Sequence, residues 1–156
     1  MSLDPDRIIF RNTQPGTLIR LIMIPLCIVI LVLSIQVTSF LFIALGILLV
    51  CLPLFHSLTT EITDTSIRIR MGIGVIHRTI PVSRVRSCTC ARTPWYIGWG
   101  VRLIPGRCWL WNVSGFDSVE LEYRQGGHFR IGTDMPQELA DAIDEAISLQ
   151  RHDDPA

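Results

Sequence analysis

The sequence has no lysine; all fourteen basic residues are arginine. This reads mainly as codon usage in a GC-rich genome. The functional alternative is selection for bidentate anion contacts, which a guanidinium makes better than an ammonium. Charge of either sign is missing from residues 21–55, where Gln36 is the one strongly polar side chain. Charged residues are 18% of the chain, against about 25% in soluble domains, and the shortfall is concentrated in that run. Regular cysteine spacing is also lacking. Cys27 and Cys51 lie in the apolar run, Cys88 and Cys90 form a C-x-C pair, and Cys108 stands alone. An odd count without spacing is a poor disulfide framework, so free thiols in a reducing compartment are expected. H-E-x-x-H, G-x-S-x-G and P-loop motifs are absent. Ser114 reads as a turn residue, and His56, His77, His128 and His152 are scattered. Cys88 and Cys90 would share one side of a strand, with Cys108 and His77 as further ligand candidates. Zinc sites normally bring four ligands together, often as C-x-x-C pairs. The expectation is therefore no catalytic residue, no metal site and no cofactor.

The apolar run is too long for one span. As one helix, residues 21–55 would extend roughly 52 Å at 1.5 Å per residue, while the hydrocarbon core is about 30 Å thick. Two spans near 18–33 and 40–58 fit, with Ser34, Gln36, Thr38 and Ser39 at a turn on the far membrane face. Backbone groups cannot go unpaired in lipid, so both halves should be helical. The largely polar first 17 residues and the length of the run argue against a cleaved signal peptide. Arg7, Arg11 and Arg20 precede the first span, and Arg68, Arg70, Arg78, Arg84 and Arg86 follow the second. The positive-inside rule then puts both termini in the cytoplasm of a multi-pass cell (inner or plasma) membrane protein. The expected division is a cytoplasmic segment 1–17, a transmembrane hairpin 18–58, a β domain with a C-terminal helix over 59–150, and a tail 151–156.

Past His56 the pattern becomes alternating, as in half-buried strands. Ile67, Ile69 and Met71 alternate with polar residues, and Gly72-Ile73-Gly74 signals a turn into a strand over 75–80. In that strand either His77 or Arg78 must point the less comfortable way. Extended segments over 82–91, 99–104 and 108–113 follow. Val119, Leu121 and Tyr123 share a face with Phe129 and Ile131 only if the loop between them is odd in length. A loop of Gln125-Gly126-Gly127 satisfies this and would set Tyr123 opposite Phe129 and Glu122 opposite Arg130. Asp134 is a candidate N-cap for a final helix with a stripe of Leu139, Ala142, Ile143, Ala146 and Ile147. Short strands plus one amphipathic helix suggest a small barrel or bent sandwich plugged by the helix. Residues 57–107 hold eight Arg against Glu61 and Asp64, whereas residues 117–156 hold three Arg against ten acids. The basic part suits anionic lipid headgroups; alternatively, the two charge sets face each other within one domain.

Two stretches carry a family resemblance. The first is Ile80-Pro81-Val82-Ser83-Arg84-Val85 after a short hairpin. The second runs through Gly98-Trp99-Gly100-Val101-Arg102, Trp109, Val113-Ser114-Gly115, Val119-Glu120-Leu121, Ile131-Gly132-Thr133-Asp134, Pro136 and Leu139. In this order they resemble the bacterial pleckstrin-homology-like (PH-like) membrane proteins with two N-terminal transmembrane helices, over residues 58–148. The resemblance implies a membrane α-hairpin plus a mainly-β domain, a seven-stranded bent barrel or sandwich capped by a C-terminal α-helix. It implies no agreed enzymatic activity and carries over no binding residue.

The expected function is a non-enzymatic module that holds a protein partner, or a homo-oligomer, at the cytoplasmic face of the bilayer, without a nucleic-acid partner. The alternative is an anionic-lipid-sensing surface of Arg84, Arg86, Arg92, Trp95 and Tyr96, because Trp and Tyr favour the membrane interface and Arg favours phosphates. The absence of ionisable residues in the spans argues against a transporter.

Overall fold

Alternating apolar residues and glycine turns build two β-sheets in the computed structural model, which describes residues 7–36, 40–104 and 108–153. The first sheet is antiparallel: β1 (Ile8–Pro15), β2 (Ser57–Thr63), β3 (Ser66–Met71) and β4 (Ile76–Pro81), in that order. The second contains β5 (Val85–Arg92), β6 (Gly100–Ile104), β7 (Cys108–Asn112), β8 (Asp117–Tyr123) and β9 (His128–Gly132), in the order β5-β8-β9-β7-β6. β7 and β9 run parallel; every other neighbouring pair is antiparallel. Helices α1 (Thr17–Gln36) and α2 (Leu41–Phe55) leave and re-enter the first sheet, and α3 (Pro136–Asp153) closes the chain.

Strands β3 to β9 occupy the seven expected segments, except that Val82–Arg84 is a 3-10 turn leading into β5. Two strands were not expected. β1 lies in the segment assigned to a tail ahead of the anchor, and β2 begins where the second span was drawn through residue 58. The local sequence of β1 is mostly polar, and its partner lies on the far side of both helices. Pairing holds it: Arg11 faces Glu61, and the Thr13 and Thr59 hydroxyls meet at 3.1 Å. The buried Glu61 carboxylate bridges three strands, with Arg11 Nε at 3.3 Å and Arg70 Nη2 at 3.2 Å.

The helices are seated by close backbone contacts. Gly16 N–H donates to the His56 carbonyl at 2.7 Å, fixing the start of α1 beside the end of α2. At the β3–β4 turn, Gly72 N–H donates to Ser57 O at 2.7 Å and Ile73 N–H to Pro53 O at 3.2 Å. Gly72 has φ of 55°, and a Cβ there would overlap the Pro53 and Leu54 carbonyl oxygens. Only glycine combines that conformation with that approach.

Residues facing in from both sheets meet the stripe of α3. Ile62, Ile67, Ile69, Met71, Val85, Leu110, Val119, Leu121, Phe129 and Ile131 are fully enclosed, as are Leu139, Ile143 and Ala146. The acidic Glu138, Asp141, Asp144 and Glu145 stay in solvent. The β8–β9 loop is of odd length, so the apolar sets share a face, but the register differs from expectation. Leu121 faces Phe129 and Glu120 faces Arg130. Tyr123 N–H bonds Gly127 O, so the three-residue loop is Arg124-Gln125-Gly126, one position earlier. This register lets Glu120 accept from Arg130 Nε and, at 2.9 Å, meet His128 Nδ1. Asp134 does not cap α3 in the expected way: its carboxylate accepts from Asn12 Nδ2 at 2.6 Å, while the Thr133 hydroxyl takes the Met135 N–H.

α1 has 20 residues, about 30 Å at 1.5 Å per residue, and is the one described helix long and apolar enough to cross a membrane. α2 is more apolar but has 15 residues, about 22 Å. The two pack side by side. The expected turn at Thr38 and Ser39 lies outside the described residues.

Candidate functional site

The residues singled out from sequence separate into two groups at opposite ends of β5. In the first sheet, the end nearest the helices is set by the pair Pro15 and Ser57 and, one residue on, by Leu58, Met71 and Ile76, which are linked by register. In the second sheet, Arg92, Asp117, Gly132, Asn112 and Gly100 line up at one edge. That edge also faces the helices, because Gly98, Trp99 and Val101 wall a groove with Ile19, Met23, Leu48 and Phe55. Gln14 Nε2 ties the same end together by donating to Ser114 O at 2.8 Å.

Arg92, Trp95 and Tyr96 therefore sit at the helix end. Arg92 and Trp95 border one shallow cleft with Thr93, Pro94 and Phe116. The Trp95 and Tyr96 rings meet edge-on at 6.2 Å and are 75% and 71% exposed, too open to be core. Trp99, by contrast, is held: its indole N–H donates to Gly115 O at 3.1 Å, and its ring tilts against Phe116. Sequence reasoning missed two partners in this surface. Ile73 and Val75, at the β3–β4 turn, are each 66% exposed, and the Ile73 N–H bonds Pro53 O in α2. The signal was present as apolar residues in a turn that needs none.

Arg84 and Arg86 lie at the other end. They flank Val85, and β5 carries the chain from Val85 to Arg92, about 23 Å at roughly 3.3 Å per residue. The five residues form no single patch. Arg86 pairs with Glu122 at 3.4 Å, joining the basic half of the domain to the acidic half. Arg124 and Arg151 border the same surface. Arg84 borders a cleft of about 180 Å³ with Arg78, Thr79, Ile80, Pro81, Tyr123, Gln125 and Gly126.

Arg78 resolves the ambiguity in β4. His77 faces solvent, while Arg78 shares the inward side with Ile76 and Ile80, its guanidinium 4.8 Å from the Phe129 ring centre. A cation over a ring face is a favourable way to keep a charge on an apolar side. Across the cleft, the buried Tyr123 hydroxyl has no hydrogen-bond partner among the described residues. Burial raises the Tyr123 pKa, and the charges of Arg78 and Arg84 pull it back down.

Cys88 and Cys90 lie against α3. Cys88 and Cys90 do share a side of β5, and both thiols face α3: Cys88 Sγ lies 3.3 Å from Asp144 Oδ1 and Cys90 Sγ 3.4 Å from Pro136 O. Burial, and then the hydrogen bond to Asp144, push the Cys88 pKa up to about 12. Cys108 is also raised, by burial and then by the Glu120 charge. Among the described residues, no group of three or more His, Cys, Asp or Glu is placed to hold a metal. No known family, curated protein or solved structure matches this chain.

Proposed function

We propose that the chain is a non-enzymatic, hairpin-anchored interaction module of the cell membrane with both termini in the cytoplasm. Both α1 and α2 would cross the bilayer, with 18–58 as the anchor and 59–150 as the β domain, to which β1 adds an edge strand. Apolar residues cover α1 all round while protein covers almost none of it, a pattern that calls for lipid or a partner chain. A removable leader is disfavoured because β1 precedes α1 and pairs with β2, so cleavage after α1 would take a strand out of the sheet.

The observation that carries the reading is the apolar fringe at the helix end. Ile73, Val75, Trp95 and Tyr96 are exposed at the end of the domain that adjoins α1 and α2, the end a bilayer crossed by α1 would border. Indole and phenol rings favour that zone, and Arg92 beside them suits lipid phosphate. The β domain thus rests on the cytoplasmic leaflet and turns its opposite end to a protein partner or a second copy. The PH-like reading is retained as part of this proposal. Strands β3 to β9 with α3 have the strand count and terminal helix of that family; the parallel β7–β9 pair and the added β1–β2 pair are this chain's own features. Lipid sensing by Arg92, Trp95 and Tyr96 is the second reading, favoured by the cleft Arg92 and Trp95 share and by the ring contact of Tyr96 with Trp95.

Quenching by brominated lipid tests the seating. With the full chain in nanodiscs, quenching of tryptophan emission should fall in Trp95→Phe. An unchanged profile would remove Trp95 from the interface. Crosslinking in native membranes tests the interaction role, which a persistent monomer without a crosslinked partner would refute.

A further inference from the structure

We propose that the cleft between β4 and the β8–β9 loop is a binding site for the phosphate group of a soluble ligand, held by Arg78, Arg84 and the Tyr123 hydroxyl. Three independent features converge there. Neither Arg78 nor Arg84 has a carboxylate within ion-pair distance among the described residues, although Arg11, Arg70, Arg86 and Arg130 all do. Tyr123 lines the same cleft, and its hydroxyl is buried without a hydrogen-bond partner among the described residues. Arg78 also occupies an inward position that alternation would give to an apolar residue, and packing on Phe129 holds it there.

An unsatisfied buried hydroxyl is destabilising, and an oxyanion accepting a hydrogen bond from it would remove that cost. Two guanidiniums supply charge-assisted, bidentate donors, the geometry phosphate oxygens favour. The volume of about 180 Å³ is small beside the roughly 300–1,000 Å³ of pockets that enclose whole small molecules. It fits one anionic group, with the rest of the ligand outside. Arg124 and Arg151 lie on the neighbouring surface and add positive potential around the mouth.

Position decides the source. Arg84 sits at the end of β5 away from α1 and α2, next to the β2–β3 turn, where Val82 N–H bonds Thr65 O. The Arg84 side of the cleft is therefore turned away from the headgroups of the bilayer that holds the anchor. This site is independent of how the other end meets lipid, so it can fail while the proposed seating stands.

The test uses the full chain in phosphatidylcholine nanodiscs, titrated with inorganic phosphate at constant ionic strength with chloride as the control anion. Phosphate should raise the melting temperature. Arg84→Gln should weaken the apparent affinity about tenfold or more, the equivalent of one lost charge-assisted hydrogen bond. Tyr123→Phe should melt no lower than wild type without phosphate, yet lose much of the phosphate shift, an outcome that a merely structural tyrosine would not produce. If Arg78→Gln fails to fold, the exposed Arg84 decides alone. Equal shifts from phosphate and chloride, or an unchanged shift in Arg84→Gln, would overturn the proposal. In a second arm, free vesicles with phosphatidylserine are added. Recruitment of the nanodisc-held protein that depends on Arg84, without a phosphate response, would replace the soluble ligand by a second membrane and refute the proposal as stated.

Discussion

Cys88 illustrates how one residue's surroundings set its chemistry. An ordinary thiol titrates near 9.0, whereas this one is pushed to about 12 by burial and by Asp144. At neutral pH its thiolate population is about a thousandfold below that of an ordinary thiol. Iodoacetamide should label exposed Cys90 well before Cys88, as read by peptide mass spectrometry; equal rates would contradict the packing of β5 on α3. The folded pKa is the higher one, so the stability this group contributes is complete below pH 9.0 and is lost as pH rises toward about 12. Cys88→Ala should flatten the alkaline loss of stability measured by urea unfolding. Glu61 is the second such residue. Its carboxylate is buried while both guanidiniums reach solvent, so Glu61→Ala should cost about 1–2 kcal/mol. Urea unfolding measures the loss, and no change would mean that the ion pairs of Glu61 with Arg11 and Arg70 add nothing to the seating of β1.

Elements depend on where the chain can pass. The β3–β4 turn fits under the last turn of α2 because Gly72 has no side chain and a positive φ. Gly72→Ala should therefore destabilise the protein by at least about 2 kcal/mol, combining left-handed strain with displacement of α2. Hydrogen exchange at Ile73 should rise with it; a variant as stable as wild type would show that the helices are not seated there. Many elements were legible in the sequence because their signals are local. Alternation identified the inward residues of β3, β8 and β9, and the stripe on α3 is as read. The β8–β9 register was two residues off because pairing Tyr123 with Phe129 and pairing Leu121 with Phe129 both satisfy the same alternation. The ion pairs of Glu120 and the backbone bond of Tyr123 to Gly127 belong to the observed register.

At the scale of the molecule, the two sheets join the hairpin at one end and leave a basic surface at the other. With both helices crossing, Gln36 at the end of α1 lies on the far side of the bilayer from the β domain. In a background with all native cysteines replaced, Gln36→Cys should react with a membrane-impermeant maleimide from the outside of intact cells, and Cys90 restored alone should not. Labelling of Gln36→Cys only after cell lysis would refute a two-span topology with both termini in the cytoplasm. The candidate site was only partly legible at this scale. Arg92, Trp95 and Tyr96 are neighbours in sequence and in space, while Arg84 and Arg86 share their strand but not their end.

Composition and periodicity by themselves determined that an uncharged apolar segment precedes a β-rich part, which faces of several strands turn inward, and that an amphipathic helix closes the chain. Those properties follow from side chains a few positions apart. Only the tertiary structure decided that Ile8–Pro15 is a strand, that β7 runs parallel to β9, that Arg78 points toward Phe129, and that Arg84 meets Tyr123. Each of these depends on pairing between segments far apart in the chain, where the free energy of register and enclosure overrides local preference. Lys-free composition left open whether the arginines serve anions. Their placement is what the structure adds: Arg11, Arg70, Arg86 and Arg130 are ion-paired, while Arg78 and Arg84 line a cleft with Tyr123.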